Sequence, residues 1–339
     1  MRLFVITIDT EADGDHSWTA RVPESYENVT ALQERLLPVV SRTGALPTLL
    51  LNSDIMARAG PSATCEYLHR EWGWELGTHL HGELVNPQQT YASPAGHKFR
   101  ELQCSYPEEI EFAKMAAITA QFRQRFGFSP ASFRAGRWGA GGRTFRICAQ
   151  LGYEADSSVV PGHIFYEGSA AADFTRFGPH PCLPASGGER LVEVPVTVRP
   201  GRWQRIVRVD PPGHGRGAAA AIAAGLGWRM RTQVSKLTAS LRHTTWLRPS
   251  FSSAEKMISV LRWLKREEGR QPVIANMMFH SNEVLPGASP YTRSEADSAA
   301  YLSAVSQTLQ AAKALSYEFA TLRDAARAVS PLLEEYAEF

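Results

Sequence analysis

The sequence predicts a parallel α/β fold of the barrel kind, built as one domain. Strand-like and helix-like segments alternate along the 339 residues, and this alternation is typical of parallel sheets covered by helices. Polar and ionisable residues gather directly after predicted strands, where parallel α/β barrels build their active sites. Since no internal repeat and no low-complexity linker divides the chain, we expect one domain over residues 1–339.

The first half of the chain contains five predicted strands. The β-branched run Leu3–Ile8 predicts the first, and an apolar set at helical spacing follows it until Gly44. A second helix is expected to begin at the capping box Ser105–Glu108 and to end at Gly127, and a third covers Arg143–Leu151. The remaining strands of this half are expected at Leu46–Leu51, Trp74–Thr78, Ala131–Arg134 and Tyr153–Asp156.

The second half continues the alternation. Helices are expected from the capping box Ser252–Glu255 to Gly269 and from Ser294 to about Ala314, with one more at the end of the chain. The strands of this half are expected at Leu191–Val198, Val273–Phe279 and Ser316–Thr321.

The composition describes an ordinary globular chain. Hydrophobic residues make up 44% and charged residues 21%, which excludes a disordered, collagen-like or coiled-coil protein. The 36 basic and 34 acidic side chains leave a net charge of +2, so global charge gives no reason to expect a nucleic-acid partner. The four cysteines form no CxxC pair, the first residues lack a secretory pattern, and no apolar run is long enough for a membrane span. These observations predict a cytoplasmic protein with reduced thiols.

One segment departs from this balance. Val198–Ser250 holds ten Lys or Arg residues against Asp210 as its only acid, a net charge of +9. Its irregular pattern predicts an insertion placed on the barrel rather than a part of it. A run of charge is most often a solvated surface. The functional alternative is a surface for anionic substrate groups or for peripheral contact with an acidic membrane.

Two carboxylates and two histidines follow the first and third predicted strands. Asp9 and Glu11 are separated by one residue, so an extended backbone directs both carboxylates to one side. His79 and His81 have the same spacing and would present both imidazoles on one face, a geometry suited to zinc or a similar divalent ion. Each pair alone is equally compatible with a structural role. Two histidines and a carboxylate that meet at strand ends would leave coordination positions open for water and substrate.

Two further loops carry candidate catalytic groups. Phe133–Gly139 places Arg134, Arg137 and Trp138 among glycines, which indicates either a tight loop near a ligand or a turn with a core tryptophan. His280 leaves a buried predicted strand and is a candidate acid or base, although a single histidine there is more often structural. The sequence lacks GxGxxG, GxSxG, HExxH and P-loop motifs, which argues against dinucleotide binding, serine catalysis and a zincin peptidase.

These segments, taken in order, resemble the motifs of the polysaccharide deacetylase superfamily, also called the NodB-homology group or carbohydrate esterase family 4. TIDTEAD resembles its first motif, WELGTHLHGE the histidine motif and SFRAGRWG the arginine motif. FHSNEVLPGASPY is similar to the last histidine motif of a bacterial subgroup associated with surface polysaccharides. The resemblance spans about residues 1–160 and 250–330 and leaves the basic insertion uncovered. It implies a distorted (β/α)7 barrel and metal-dependent hydrolysis of an acetyl group.

The resemblance also implies one divalent metal ion, for which we expect zinc. Thr10 stands where most members have their metal aspartate, so a variant with one residue between the carboxylates would make Glu11 the ligand. The usual histidine ligands are four residues apart, whereas this chain has His79 and His81 with Glu83 at the four-residue position. Two ligand sets are therefore open: Glu11, His79 and His81, or a set that includes Glu83.

The implied catalytic roles fall on other residues. Asp9 matches the general base, Arg134 the arginine that holds it, and His280 the general acid. The backbone N–H of Arg137 matches the oxyanion donor, with Trp138 beside it at the substrate. The implied substrate is an acetylated sugar or glycan, which the basic insertion suggests is anionic or lipid-linked. The alternatives are a metal-free cyclic amide hydrolase on the same barrel and a non-catalytic barrel that binds a glycan or a lipid-linked sugar.

Overall fold

Seven parallel strands form the central sheet of the computed structural model, which describes residues 1–14, 25–87, 102–167, 170–184, 190–201, 244–269 and 271–334. Every neighbouring pair on this path is parallel, so the carboxyl ends of the strands meet at one edge. This sheet confirms the predicted parallel α/β class. In spatial order the strands are Val273–His280 (β11), Arg2–Thr10 (β1), Pro47–Leu51 (β2), Glu75–Leu80 (β3), Ser132–Ala135 (β4), Ala155–Asp156 (β5) and Val192–Glu193 (β8), with Glu318–Phe319 (β12) paired to β1 from the side.

The two ends of the sheet are brought together by short bridging segments. Thr197 N–H donates to the carbonyl of Asn276 in β11 at 3.1 Å, and Met278 N–H donates to the carbonyl of Leu247 at 3.3 Å. These bonds close the sheet into a distorted barrel. Beside them, Val198–Arg199 (β9) and Thr245–Trp246 (β10) pair antiparallel at the two ends of the predicted basic insertion, of which residues 202–243 lie outside the described residues.

Helices cover the outside of the sheet. Among the described helices, none is long and apolar enough to cross a membrane. A two-stranded hairpin that the sequence did not indicate, Ile164–Glu167 (β6) with Ala170–Asp173 (β7), lies between β5 and β8 in the chain. The helices are Glu27–Ala31 (α1), a π-helical turn Leu32–Leu36, Leu37–Val40 (α2), Ser53–Ala57 (α3), Ala59–Trp72 (α4), Glu108–Phe126 (α5), Gly142–Gln150 (α6), Ala254–Glu267 (α7), Glu295–Ala314 (α8) and Leu322–Val329 (α9).

Two predicted boundaries are wrong for identifiable reasons. Ser105 does not cap α5, because its hydroxyl donates to the carbonyl of Leu102 at 2.6 Å and Pro107 takes the N-cap position. The predicted strand Leu191–Val198 is interrupted after Glu193, since Pro195 has no N–H to offer to a neighbouring strand. The end of α5 at Gly127 is confirmed, where the backbone turns into the left-handed region that ends many helices.

Alternation along β1 separates two environments. Ile6 belongs to the apolar layer between the sheet and its helices, whereas Leu3 and Val5 belong to a second apolar cluster inside the barrel, which α9 closes from below. Thr7 and Asp9 continue this interior face toward the carboxyl ends of the strands and are buried as well. The barrel is therefore apolar at its base and polar at its mouth.

A buried pair of carboxyl groups lies on β5 and β8. Asp156 and Glu193 are register partners on these strands, and both are fully buried. Burial raises the pKa of both groups, and the neighbouring charge of Asp156 raises that of Glu193 further. Glu193 therefore holds its proton more tightly than an exposed carboxyl group does, while Asp156 accepts hydrogen bonds from the N–H and the hydroxyl of Ser158.

Glu193→Gln is expected to flatten the pH dependence of stability. The pKa of Glu193 is higher in the folded state than in the unfolded state, where it is about 4.3. The resulting stabilisation is complete below the unfolded-state pKa and is lost as the pH rises through the folded-state pKa. Glutamine keeps the size and polarity of the side chain but cannot ionise. Urea unfolding between pH 5 and pH 9 should show a smaller loss of unfolding free energy in Glu193→Gln than in wild type. Glu109→Gln, at an exposed position of α5, should behave as wild type; equal losses in all three proteins would contradict the raised pKa of Glu193.

Candidate metal centre and active site

Arg134 reaches into the barrel interior from β4 and holds Asp9. Its Nη1 donates to Oδ1 of Asp9 at 2.6 Å, and its other N–H groups donate to oxygens of β1 and of the residue after β5. Burial alone would raise the pKa of Asp9, but Arg134, followed by His79 and His280, lowers it below its ordinary value. The second oxygen, Oδ2, lies 3.8 Å from Nε2 of His79 and 3.9 Å from Nε2 of His280. Asp9 is thus an anion placed between these two imidazoles.

Glu11, His79 and His81 bring one ligand atom each to a single point. The Nε2 atoms of the two histidines lie 3.1 Å apart. Oε1 of Glu11 lies 3.1 Å from Nε2 of His79 and 2.8 Å from Nε2 of His81. Nδ1 of His79 donates to the carbonyl of Arg134 at 3.1 Å, which leaves the lone pair of a neutral ring on Nε2. Nδ1 of His81 faces the carboxylate of Glu83 at 3.6 Å. Both rings therefore direct Nε2 toward Glu11, as the ligands of a divalent ion must.

The charges of this cluster attract one another strongly. Burial would raise the pKa of Glu11, but His81 and the hydrogen bonds from both histidines hold it well below its usual range. Burial would lower the pKa of His81, but the carboxylate of Glu11 raises it to about 9. A carboxylate that stays ionised beside two imidazoles has the donor chemistry that zinc prefers.

Glu83 supports this cluster from behind. Its carboxylate forms a short ion pair with Arg137 and faces Nδ1, rather than Nε2, of His81. Burial would raise the pKa of Glu83, yet the hydrogen bonds from His81 and Arg137 hold it well below its ordinary value. The geometry therefore favours Glu11, His79 and His81 as the ligand set over a set that includes Glu83.

The loop after β4 is pressed against the cluster of Glu11, His79 and His81. Arg137 and Trp138 have φ angles of 53° and 60°, a left-handed conformation that residues with a Cβ rarely adopt and that concentrates at functional sites. A Cβ on Gly136 would lie 2.6 Å from the carbonyl oxygen of Leu80 and 3.1 Å from the ring of His81. This close approach brings the Arg137 backbone next to the histidines, and the Trp138 ring lies 5.3 Å from the guanidinium carbon of Arg134.

His280 is held by groups that the sequence analysis missed. Oε1 of Glu283 accepts from Nδ1 of His280 at 2.9 Å and from Nη2 of Arg248 at 2.5 Å, while Oε2 accepts from the hydroxyl of Tyr301 at 3.1 Å. Burial alone would raise the pKa of Glu283, but Arg248, together with His280, lowers it to about 2. The HxxE spacing in FHSNE could have indicated this carboxylate, whereas nothing in the sequence pairs it with Arg248.

A further acidic side chain near the cluster was also missed. Asp54 lies in α3, directly after β2, and its Oδ2 accepts from the hydroxyl of Tyr26 at 3.3 Å. Burial, together with the charge of Glu11, raises the pKa of Asp54 to about 6. Its position after a strand of the barrel is the signal that could have identified it, as for the motifs after β1 and β3.

The sequence matches no protein-family model and no curated protein. A protein from Mycobacterium smegmatis named as a polysaccharide deacetylase aligns over 99% of this chain and 93% of its own, with a TM-score of 0.53 and 14% identity. One of the same name from Pseudomonas aeruginosa PAO1 aligns over 96% and 89%, with a TM-score of 0.52 and 16% identity. A protein from Parabacteroides distasonis named as a glycoside hydrolase/deacetylase aligns over 96% and 70%, with a TM-score of 0.53 and 14% identity.

These likenesses establish the fold. The chain adopts the barrel of the polysaccharide deacetylases, and the predicted distorted (β/α)7 barrel of the NodB-homology type is confirmed. On that barrel, the residues that the sequence analysis singled out lie at the carboxyl ends of β1, β3, β4 and β11, which is where barrel enzymes place their chemistry.

Gly136→Ala is expected to destabilise the protein and to displace His81. The added methyl group would meet the Leu80 carbonyl oxygen at 2.6 Å, which a real Cβ does not tolerate, and the His81 ring at 3.1 Å, so the ring would have to move. Overpacking of this kind costs about 1–3 kcal/mol, which urea unfolding would measure. Gly60→Ala, at a helical position in α4 where a Cβ meets nothing within 4 Å, is the matched control and should leave stability unchanged or raise it. Equal stability of both variants would show that the loop is not packed as described.

Proposed function

We propose that this protein is a metal-dependent hydrolase that removes an acetyl group from an N- or O-acetylated sugar or glycan intermediate. One observation carries the proposal: Oδ2 of Asp9 lies 3.8 Å from Nε2 of His79, in the ligand cluster, and 3.9 Å from Nε2 of His280. A base, a set of metal-ligating atoms and an acid therefore share one point at the barrel mouth, as acyl hydrolysis requires. The names of the proteins with the same fold support the substrate class.

Glu11, His79 and His81 would hold one divalent ion, and zinc suits two imidazoles and one carboxylate best. When bound, such an ion acts as a Lewis acid for the acetyl carbonyl and promotes ionisation of water. The protein contributes the orientation of the ligands. His79 is fixed by the carbonyl of Arg134 and His81 by the carboxylate of Glu83, so neither ring has to turn to coordinate.

Asp9 is the general base of the proposed reaction. Arg134 occupies Oδ1, so Oδ2 is the oxygen that takes the proton of the attacking water. The charge that develops on the acetyl oxygen is met by the backbone N–H of Arg137, and in other enzymes the loss of one such donor costs about 3 kcal/mol. Trp138, whose ring lies 5.3 Å from the guanidinium carbon of Arg134, is the proposed substrate contact beside these groups.

His280 is the general acid. Glu283 accepts the hydrogen bond from Nδ1, so the imidazolium form of the ring presents its second N–H, at Nε2, to the site and gives that proton to the departing amine or alcohol. Glu283 is fixed in turn by Arg248 and Tyr301. A non-catalytic glycan-binding barrel would not need this orientation of the imidazole.

The nature of the sugar is proposed from sequence alone. The net charge of +9 in Val198–Ser250 supports an anionic or lipid-linked acetylated glycan, since nine of its ten basic residues are arginines, which bind phosphate and carboxylate in a bidentate manner. Arg202, Arg205 and Arg208, the arginines expected to contribute, lie outside the described residues. The cytoplasmic location and the single-domain organisation stay predictions as well.

Zinc binding is expected to depend on the three ligands and not on Glu83. His79→Ala and His81→Ala should each abolish stoichiometric zinc binding in calorimetric titrations, with circular dichroism showing an intact barrel. Glu83→Ala, the matched control, should still bind one ion per chain, because its carboxylate faces Nδ1 of His81. Loss of binding in Glu83→Ala alone would favour the other ligand set. Ring opening of a cyclic amide, without acetate release, by a wild-type protein that binds no metal would favour the metal-free cyclic amide hydrolase.

We expect the loss of activity in His280→Ala and Glu283→Gln to depend on the leaving group of the substrate. Acetate release from N-acetylated sugars should fall by about 10²-fold or more, since the amine must be protonated as it leaves. Release from 4-nitrophenyl acetate should fall much less, because its leaving group departs as a stable anion. His69→Gln, on α4, is the control and should match wild type on both substrates. Equal losses on both substrates would contradict the role of His280 as the acid.

A further inference from the structure

Glu83 and Arg137 link two segments that each contact the proposed site. Glu83 lies in the turn Gly82–Leu84 just after β3, and Arg137 lies in the loop Gly136–Trp138 after β4. The two side chains form an ion pair, in which Nη2 of Arg137 donates to Oε1 of Glu83. The same oxygen faces Nδ1 of His81 at 3.6 Å. One carboxylate atom therefore contacts both a proposed metal ligand and the loop that carries the proposed oxyanion donor.

The turn that carries Glu83 is fixed from two sides. Nζ of Lys114, a buried residue of α5, donates to the carbonyl oxygens of Gly82 and Val85, at 2.7 Å in both cases. A Cβ on Gly82 would lie 2.5 Å from the ring of Tyr106, so this ring packs directly on the backbone of the turn. Glu83 itself is only 6% exposed. Its carboxylate is therefore held in one place, from which it can position the groups that it contacts.

Arg137 has a backbone conformation that an arginine does not favour by itself. Its φ and ψ angles are 53° and 25°, in the left-handed region that glycine and asparagine adopt more readily. Such a conformation persists where surrounding contacts impose it. The ion pair with Glu83 is one of these contacts, and it leaves only 19% of the Arg137 side chain exposed. An arginine here gives the loop a side chain that reaches Glu83, which a glycine would lack.

The position of this backbone matters because the Arg137 N–H is the proposed donor to the oxyanion. Stabilisation of this kind depends on a donor that is already in place when the charge develops. Gly136 lies against the carbonyl of Leu80, and Gly139 N–H donates to the Gly136 carbonyl at 2.9 Å. These contacts hold the two ends of the loop. The ion pair acts on the residue between them, which carries the donor.

We propose that Glu83 and the side chain of Arg137 are positioning residues, whose ion pair holds the Arg137 N–H at the proposed oxyanion position. The inference rests on the proposed function, in which that N–H meets the charge on the acetyl oxygen. It gives Glu83 a role other than metal ligation, and it gives the Arg137 side chain a role separate from that of its backbone. The turn after β3 then sets the position of the oxyanion donor relative to His81.

Arg137→Asn separates the ion pair from the backbone conformation. Asparagine adopts the left-handed region readily but is too short to reach Glu83. With one zinc ion bound per chain, kcat should fall about tenfold or more on N-acetylated sugars and by the same factor on 4-nitrophenyl acetate, because both substrates form an oxyanion at the acetyl carbonyl. KM should change less than kcat. A loss that is equal on both substrates distinguishes the oxyanion donor from the general acid, whose loss depends on the leaving group.

A double-mutant cycle tests whether the two side chains act together. Glu83→Ala should also lower kcat, and the double variant Glu83→Ala/Arg137→Asn should lose no more than the larger of the two single losses. Arg137→Lys keeps a charge that reaches Glu83 and should retain most of the activity. Arg327→Asn makes the same substitution in an exposed ion pair with Glu154, at the base of the barrel, and should behave as wild type.

Acetate binding gives a readout that does not depend on turnover. The zinc-loaded proteins are titrated with acetate, the proposed product, because its oxygen would meet the same donor. Arg137→Asn should bind acetate about threefold to tenfold more weakly than wild type, the equivalent of about one lost hydrogen bond. Its zinc affinity should equal that of wild type, since the side chain of Arg137 is not a ligand.

Three results would overturn the inference: unchanged kcat and acetate affinity in Arg137→Asn, additive losses in the double variant, or loss of zinc binding in Arg137→Asn. Failure of the proposed function gives a different result, in which the wild-type protein releases no acetate from either kind of substrate. The acetate titration then decides the inference by itself, with weaker binding by Arg137→Asn in support and equal binding against.

Discussion

The buried ion pair between Arg134 and Asp9 is the interaction on which the rest of this barrel depends. A guanidinium enclosed in protein is tolerated only where its N–H groups meet oxygens and a counter-charge lies close. Thr7 and Ser157 supply those oxygens, and Asn276 of β11 hydrogen-bonds to both of them. The interior face of the sheet is therefore polar at its mouth, although it is apolar at its base. Removing one partner would leave an unpaired buried charge, at a cost of about 3–5 kcal/mol.

The same pair determines where the proposed chemistry takes place. Because Arg134 binds Oδ1, the other oxygen of Asp9 is directed between His79 and His280. Each of these imidazoles is itself oriented by a hydrogen bond from its Nδ1, to the Arg134 carbonyl in one case and to Glu283 in the other. Arg134 thus contacts Asp9, the proposed base, through its side chain and His79, a proposed metal ligand, through its backbone. The proposed base, ligand cluster and acid therefore cannot shift independently, and the proposed hydrolysis needs such pre-organisation.

Much of this arrangement could be predicted from the sequence, because it follows from period-two geometry at strand ends. His79 and His81 meet Glu11 for this reason, and the parallel sheet brings their strands side by side. Contacts between distant segments that follow no strand-end motif could not be predicted. Arg248 and Glu283 are 35 residues apart and follow no motif. A local pattern also gave a wrong prediction where one residue in it could not pair. The apolar run Leu191–Val198 indicated a single strand, but Pro195 interrupts it.

The central claim is that Asp9, held by Arg134, is the base of a metal-dependent deacetylation. The most direct measurement is acetate release by Asp9→Asn and wild-type protein, each loaded with one zinc ion per chain, on the same acetylated sugars. Asparagine keeps the shape of the side chain but cannot accept the proton. The variant should therefore bind zinc as wild type does, and its rate of acetate release should be lower by about 10²-fold or more. Wild-type rates of acetate release by the zinc-loaded variant would contradict the account.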